Sequence, residues 1–244
     1  MYEPNPITAA AMASGEPHFR QIGVGPWQEE HPDQPRPDNP ESPLYKPNQW
    51  DSDLLSNGDS RNVLDRYRYW SVQAIKADLD RRGRHSFDVA IENWTHDFNI
   101  GSIVRTANAF AAGNVHIVGK HKWNRKGALM TELYQHVDEW PTIADLVAHV
   151  RQTEPDRVII ALDNVPGSVA METYQFPQKC LLVFGAEGPG LTQKALELAD
   201  QVVYISQFGS VRSINAGAAA AVAMHAWVAQ HGNLEAGESS PQAQ

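Results

Sequence analysis

The feature that most constrains this chain is a repeated switch of hydrophobic period between residues 87 and 230. Short apolar runs rich in β-branched and aromatic residues lie at 87–91, 115–118, 158–162, 181–184 and 202–205, and helix-compatible stretches at 100–112, 142–151, 193–199 and 214–230 separate most of them. Short runs of β-formers separated in this way read as strands. Strands that alternate with helices connect in parallel. The chain therefore reads as an α/β domain, a mainly parallel sheet flanked by helices.

Upstream, Val63, Tyr67, Trp70, Ala74 and Ile75 recur at helical spacing, opposite Asp65, Arg68, Gln73, Lys76 and Asp80. This predicts an amphipathic helix within residues 61–86 that opens the folded region, with Gly83 as its stop signal. Residues 1–60 hold ten of the sixteen prolines and ten acidic against three basic side chains, the composition of a disordered acidic extension. The remaining 17 basic and 19 acidic groups nearly balance, so the net charge of −9 weighs only modestly against a nucleic-acid partner. At the other end, residues 232–244 read as a flexible tail.

The single cysteine, Cys180, excludes an internal disulfide and a thiolate zinc site, and fits a reducing compartment. No apolar run approaches the roughly 20 residues that span a bilayer, and the start lacks the order of a secretory signal. The expectation is a soluble cytoplasmic protein with no metal and no membrane partner.

Ligands of open α/β sheets sit outside the carboxyl ends of the strands, so the loops after the strands carry the chemistry. Three stand out. In NIGSIVRTANAF, residues 99–110, Asn99 suits an N-cap, and Ile103, Val104, Ala107 and Ala111 form a core stripe. Arg105 falls about 200° round the helix from Ile103 and points away from that stripe. Spacing alone favours an ordinary solvated arginine there. In VFGAEGPGLT, residues 183–192, a strand runs into Gly185, Gly188 and Gly190, which permit close backbone approach but lack the GxGxxG spacing of a dinucleotide site. In VYISQFGSVRSINAGAAAAVAMHAW, residues 203–227, a loop around Gly209 leads to Ser213, a natural N-cap, then to Asn215 and an alanine-rich helix.

Taken in order, Asn99 with Arg105, Gly185-x-Glu187-x-x-Gly190 and Ser213-x-Asn215 resemble the three motifs of the SpoU/TrmH family of RNA ribose 2′-O-methyltransferases, within the SPOUT class, over residues 88–230. The resemblance implies that residues 87–231 form a methyltransferase domain with a C-terminal trefoil knot. It implies S-adenosyl-L-methionine held mainly by backbone in three loops, at Leu162 and Asp163, at Phe184, Gly185, Glu187 and Gly190, and at Ile205, Gln207 and Ile214. It also implies a homodimer, with the first- and third-motif helices and the small residues 216–223 near the interface.

In such an enzyme Arg105 meets the ribose hydroxyl, and Asn99, Glu187, Ser213 and Asn215 position it, the ribose and the cofactor. Because arginine stays protonated, stabilisation of a developing alkoxide and a grip on the adjacent phosphate suit Arg105 better than a general-base role. RNA docking falls to Arg81, Arg82 and Arg84 and to the KHKWNRK loop, with Lys120, Lys122 and Arg125 on phosphates and Trp123 stacked on a base; a solvated basic loop explains these residues equally well.

Some positions depart from the family pattern. Ser206 and Gln207 stand where a proline and an apolar residue commonly follow the strand, and Ala216 and Gly217 where the helix usually continues with Val-Ser. The alternative is a non-catalytic knotted RNA-binding dimer that has lost its cofactor. A nucleotide-binding doubly wound enzyme fits less well, since the phosphate fingerprint is missing, and base methylation is a further variant.

Overall fold

The structure is a computed structural model that describes residues 5–16, 22–94 and 99–232. It divides into two units, Met1–Ile75 and Lys76–Gln244. The expected tail at 232–244 lies, beyond Gly232, outside the described residues.

The first unit carries three short helices, α1 (Pro6–Ala13), α2 (Trp27–Glu30) and α3 (Ser52–Asn57). Residues 22–60 are not the unpacked leader that their prolines suggested. Trp27, Leu55 and Tyr69 are buried together, with Val24, Trp50 and Leu54 against them. Asp59 is fully buried and accepts hydrogen bonds from Arg61 Nε (2.8 Å), Arg61 Nη2 (2.7 Å) and the Tyr69 amide (2.9 Å). Aromatic area and one fully partnered carboxylate hold this piece, while most of its prolines sit in turns and bends, where they cost no backbone donor.

The amphipathic helix starts later than its pattern predicts. Residues 65–67 form a 3-10 turn, Tyr69 has φ +62°, and α4 runs only from Val72 to Arg82. Tyr67 and Trp70 belong to an edge-packed aromatic pair rather than to a helical stripe.

In the second unit seven strands form one sheet: β1 (Phe87–Glu92), β2 (Asn114–Val118), β3 (His136–Trp140), β4 (Val158–Leu162), β5 (Val169–Ala170), β6 (Cys180–Phe184) and β7 (Gln201–Tyr204), in the order β3-β2-β1-β6-β4-β7-β5. Every pair is parallel. The helices are α5 (Asn99–Ala109), α6 (Ile143–Thr153), α7 (Gln193–Leu198) and α8 (Ala216–His231).

The pleat sorts the core between the two faces. Cys180, Leu182 and Phe184 of β6 join Ile100, Ile103, Val104 and Ala107 of α5 and Ala220, Ala223, Met224 and Trp227 of α8. Leu181 and Val183 face Leu146, Val147 and Val150 of α6 and Ala195 of α7. Strands buried on both faces thus explain the largely apolar runs, which only Asp88 in β1 and His116 in β2 interrupt. Register sets the carboxyl ends side by side, with Leu162 opposite Phe184 and also opposite Val203. The loops after β4, β6 and β7 consequently open at one edge of the sheet.

Candidate active site

Those three loops enclose a cavity of about 340 Å³, and its lining includes Leu162, Asp163, Phe184, Gly185, Glu187, Gly190, Ile205, Gln207, Ser213 and Ile214. Residues as far apart in sequence as Leu162 and Ala219 thereby meet. The volume lies at the lower end of the range for small-molecule sites. Leu162, Phe184, Ile205 and Ile214 make part of the wall apolar, and backbone supplies much of the rest.

The turn 185–191 is shaped from within. A Cβ on Gly185 would stand 2.1 Å from the Gly190 carbonyl carbon, and Ala186 and Gly190 form an isolated antiparallel bridge. Gly190 has φ +73°, and a Cβ there would lie 3.0 Å from Asp163 Oδ2. The first constraint on Gly185 is therefore the loop's own backbone rather than a ligand. Asp163 fixes the turn from β4: its Oδ2 accepts from the Leu191 amide at 3.1 Å and its Oδ1 from the Asn164 amide at 2.7 Å.

Glu187 joins the three motifs. Its Oε2 accepts from Asn99 Nδ2 (2.7 Å), from the Ala216 amide (3.0 Å) and from Asn215 Nδ2 (3.3 Å), and Asn215 Nδ2 also donates to Asn99 Oδ1 (2.9 Å). One carboxylate oxygen thus ties the start of α5 to the start of α8. Asn215, not Ser213, caps α8, with its Oδ1 accepting from the Ala218 amide at 3.1 Å. Ser213 is exposed and lines the cavity instead. Asn99 is the first residue of α5, and its amide turns to Glu187 and Asn215.

The Ala216-Gly217 departure acquires a reason here. A Cβ on Gly217 would stand 2.9 Å from Ser102 Oγ, so glycine lets α8 cross α5 closely, and Ala216 contributes only its backbone N–H. Ala220 and Ala223 are buried within the chain, so the small residues serve this crossing first.

Arg105 is exposed and outside the cavity lining, with no hydrogen-bond or ion-pair partner among the described residues. Helix geometry carries it about 9 Å along α5 from Asn99 and roughly 120° round. The structure unites Asn99, Glu187 and Asn215 and leaves Arg105 on a neighbouring exposed face.

The expected RNA-contacting residues divide. Lys120, Lys122 and Arg125 are exposed, but Trp123 is only 9% exposed and packs in the main core, so it presents no ring for stacking on a base. Its apolar bulk fills space beneath the loop, with the Arg125 guanidinium 5.8 Å from its ring centroid. Arg84 donates to Asp80 at 2.6 Å, Gln135 at 2.9 Å and the Tyr134 carbonyl at 2.8 Å, which makes it a clamp between α4 and the start of β3. Arg81 and Arg82 both pair with Asp78 and remain partly exposed.

Two groups were not singled out from sequence. Glu92, fully buried at the end of β1, accepts from the Thr192 amide (2.7 Å) and Thr192 Oγ1 (2.8 Å), fixing the start of α7. Its signal was an acidic residue closing a mostly apolar strand, after Val89, Ala90 and Ile91. The other, Arg212, lines the cavity. Among the described residues no His, Cys, Asp and Glu side chains cluster to hold a metal ion, and no helix is long and apolar enough to cross a membrane.

A family model, the SpoU rRNA methylase family, matches residues 86–225, the span that contains the sheet, the cavity and the Asn99–Glu187–Asn215 triangle of hydrogen bonds. The chain belongs to this family. The tRNA (guanosine(18)-2′-O)-methyltransferase of Escherichia coli (strain K12) is 28% identical over 147 residues, 59% of this chain and 63% of that protein. A Saccharomyces cerevisiae protein of the same name is 26% identical over 139 residues, 54% of this chain and 10% of its own length. The match thus spans less than two thirds of these relatives.

Among solved structures, the SpoU methyltransferase AviRb from Streptomyces viridochromogenes, crystallised with the cofactor AdoMet, superposes with a TM-score of 0.53 at 28% identity, covering 60% of this chain and 58% of that one. The A. aeolicus TrmH/SpoU tRNA modifying enzyme shares the fold, with a TM-score of 0.56 at 19% identity over 64% and 83% of the two chains.

Proposed function

We propose that this SpoU-family protein is an S-adenosyl-L-methionine-dependent methyltransferase acting on a ribose 2′-hydroxyl of tRNA or rRNA. The observation that carries the reading is the Asn99–Glu187–Asn215 triangle at the cavity formed by the loops after β4, β6 and β7. The lining fits an adenosyl cofactor: apolar walls from Leu162, Phe184, Ile205 and Ile214 suit adenine, and Gly185, Gly188 and Gly190 contribute wall that carries no side chain. When bound, the cofactor supplies an electrophilic methyl group.

The chain's own residues do the rest. Glu187 holds the starts of α5 and α8 together and so fixes the cavity wall beside Ser213. Arg105 approaches the ribose from outside the cavity, places its charge against the oxygen as it becomes alkoxide, and grips the neighbouring phosphate with its planar fork. Alignment of the reacting atoms contributes up to about 7–11 kcal/mol of barrier lowering. Lys120, Lys122 and Arg125, with Arg81 and Arg82 in support, draw in the RNA backbone.

The same reading includes a trefoil knot in the C-terminal part, a cytoplasmic location and a homodimer. Ala218, Val222 and His225 leave an exposed, largely apolar face on α8 that suits a second copy. The catalytic form is favoured over a cofactor-free RNA-binding dimer because the triangle is complete despite the departures at Ala216 and Gly217.

Labelled S-adenosyl-L-methionine incubated with separated cellular RNAs tests the proposal. Transfer to tRNA or rRNA is expected from the wild type, with a loss of about 100-fold or more in Arg105→Ala at unchanged cofactor binding. Near wild-type turnover in that variant would remove Arg105 from the reaction.

A further inference from the structure

We propose that Arg212 binds the carboxylate of the cofactor's methionine moiety and thereby selects among adenosyl compounds. This rests on the methyltransferase reading above. Three residues charged at neutral pH line the cavity: Asp163, Glu187 and Arg212. Both carboxylates already serve the protein. Asp163 accepts from the Leu191 and Asn164 amides, and Glu187 from Asn99, Asn215 and Ala216. The Arg212 side chain has no ion pair or hydrogen bond among the described residues.

The backbone around Arg212 is nevertheless held. Gln207 Nε2 donates to the Arg212 carbonyl at 3.2 Å, and the enclosed Gln207 Oε1 has no partner among the described residues, so the side chain's polar bond there serves this loop. At the loop's base, Glu172 accepts from the Ser206 amide (3.0 Å) and Ser206 Oγ (2.9 Å). Ser206 and Gln207 are the two positions where the loop departs from the family's proline and apolar residue. Their polar contacts pin the segment at both ends and set Arg212 at the cavity wall.

An arginine in that position, unpartnered among the described residues, matches an anion. S-adenosyl-L-methionine carries one, the carboxylate at the far end from adenine. An RNA phosphate is the competing anion. The carboxylate is favoured because Arg212 belongs to the cavity lining, whereas the exposed cations of the 120–126 loop lie outside it.

Calorimetry with S-adenosyl-L-methionine and its decarboxylated analogue, which lacks only that group, tests the assignment on the full chain. The wild type is expected to prefer S-adenosyl-L-methionine by about tenfold. Arg212→Ala and Arg212→Gln should abolish the preference and leave affinity for the analogue unchanged, and Arg212→Lys should restore part of it. Equal losses for both ligands, or a preserved preference with weaker RNA affinity, would overturn the proposal, the second outcome placing the guanidinium on a phosphate. A wild type that binds neither ligand would instead overturn the methyltransferase reading. Native far-UV dichroism of each variant separates these results from misfolding.

Discussion

Glu187 is the residue on which the site's geometry converges, because one of its oxygens accepts from three donors at the starts of two helices, α5 and α8. Each contact is exposed, so screening by solvent keeps the individual values small. A double-mutant cycle between Asn99→Ala and Glu187→Ala, read from thermal or denaturant unfolding, should return a coupling of about 1 kcal/mol. Additivity of the two substitutions would show that the contact contributes nothing.

The motif residues were legible in the sequence as an ordered set, and Arg105 was legible as pointing away from the core. Their mutual hydrogen bonds were not, since Asn99 and Glu187 lie 88 positions apart and only the sheet's register brings them together. Trp123 shows the opposite failure. Its basic neighbours suggested a wet loop, yet burying its ring in the core outweighs the preference of those neighbours for water, because Lys120, Lys122 and Arg125 stay exposed while the indole turns inward.

At the scale of elements, the first unit is the piece whose stability depends most visibly on charge. Burial raises the Asp59 carboxyl, but the hydrogen bonds from Arg61 and from the backbone of Tyr69 and Arg61 outweigh it and hold it below the ordinary carboxylate range. The hydrogen bond from Arg36 holds Asp38 down to about 2. Both pKa values are lower folded than unfolded. The stabilisation is therefore complete above the unfolded value near pH 4 and is lost as pH falls through the folded values.

Tryptophan fluorescence from Trp27, Trp50 and Trp70 should report loosening of this unit between about pH 4 and pH 2. Asp59→Asn should destabilise it by about 3 kcal/mol at neutral pH and flatten that acid dependence. A pH-independent signal across the window would deny Asp59 and Asp38 this role.

Strands β1, β2, β4, β6 and β7 were visible as apolar runs because both faces of the sheet are covered. His-Val-Asp-Glu-Trp at 136–140 was not, since β3 is an edge strand with partly exposed side chains, and β5 is only two residues long. The start of α4 was misplaced because Tyr67 and Trp70 imitate a helical stripe while packing edge-on against each other. Proline content likewise concealed the core of residues 22–60, which three well-separated side chains are enough to seed.

In the second unit helices cover both faces of a parallel sheet, the cavity and the Asn99–Glu187–Asn215 cluster stand at its carboxyl end, and Arg105 lies about 9 Å along α5 from Asn99. The account holds that this end transfers a methyl group to a sugar oxygen. Mass-spectrometric nucleoside analysis of RNA treated with the protein and S-adenosyl-L-methionine tests that directly. The expected product is a 2′-O-methylated nucleoside whose added mass stays with the ribose on glycosidic cleavage and which is absent with Arg105→Ala. A methyl group that travels with the base, or RNA left unmodified by a protein that binds the cofactor, would contradict it.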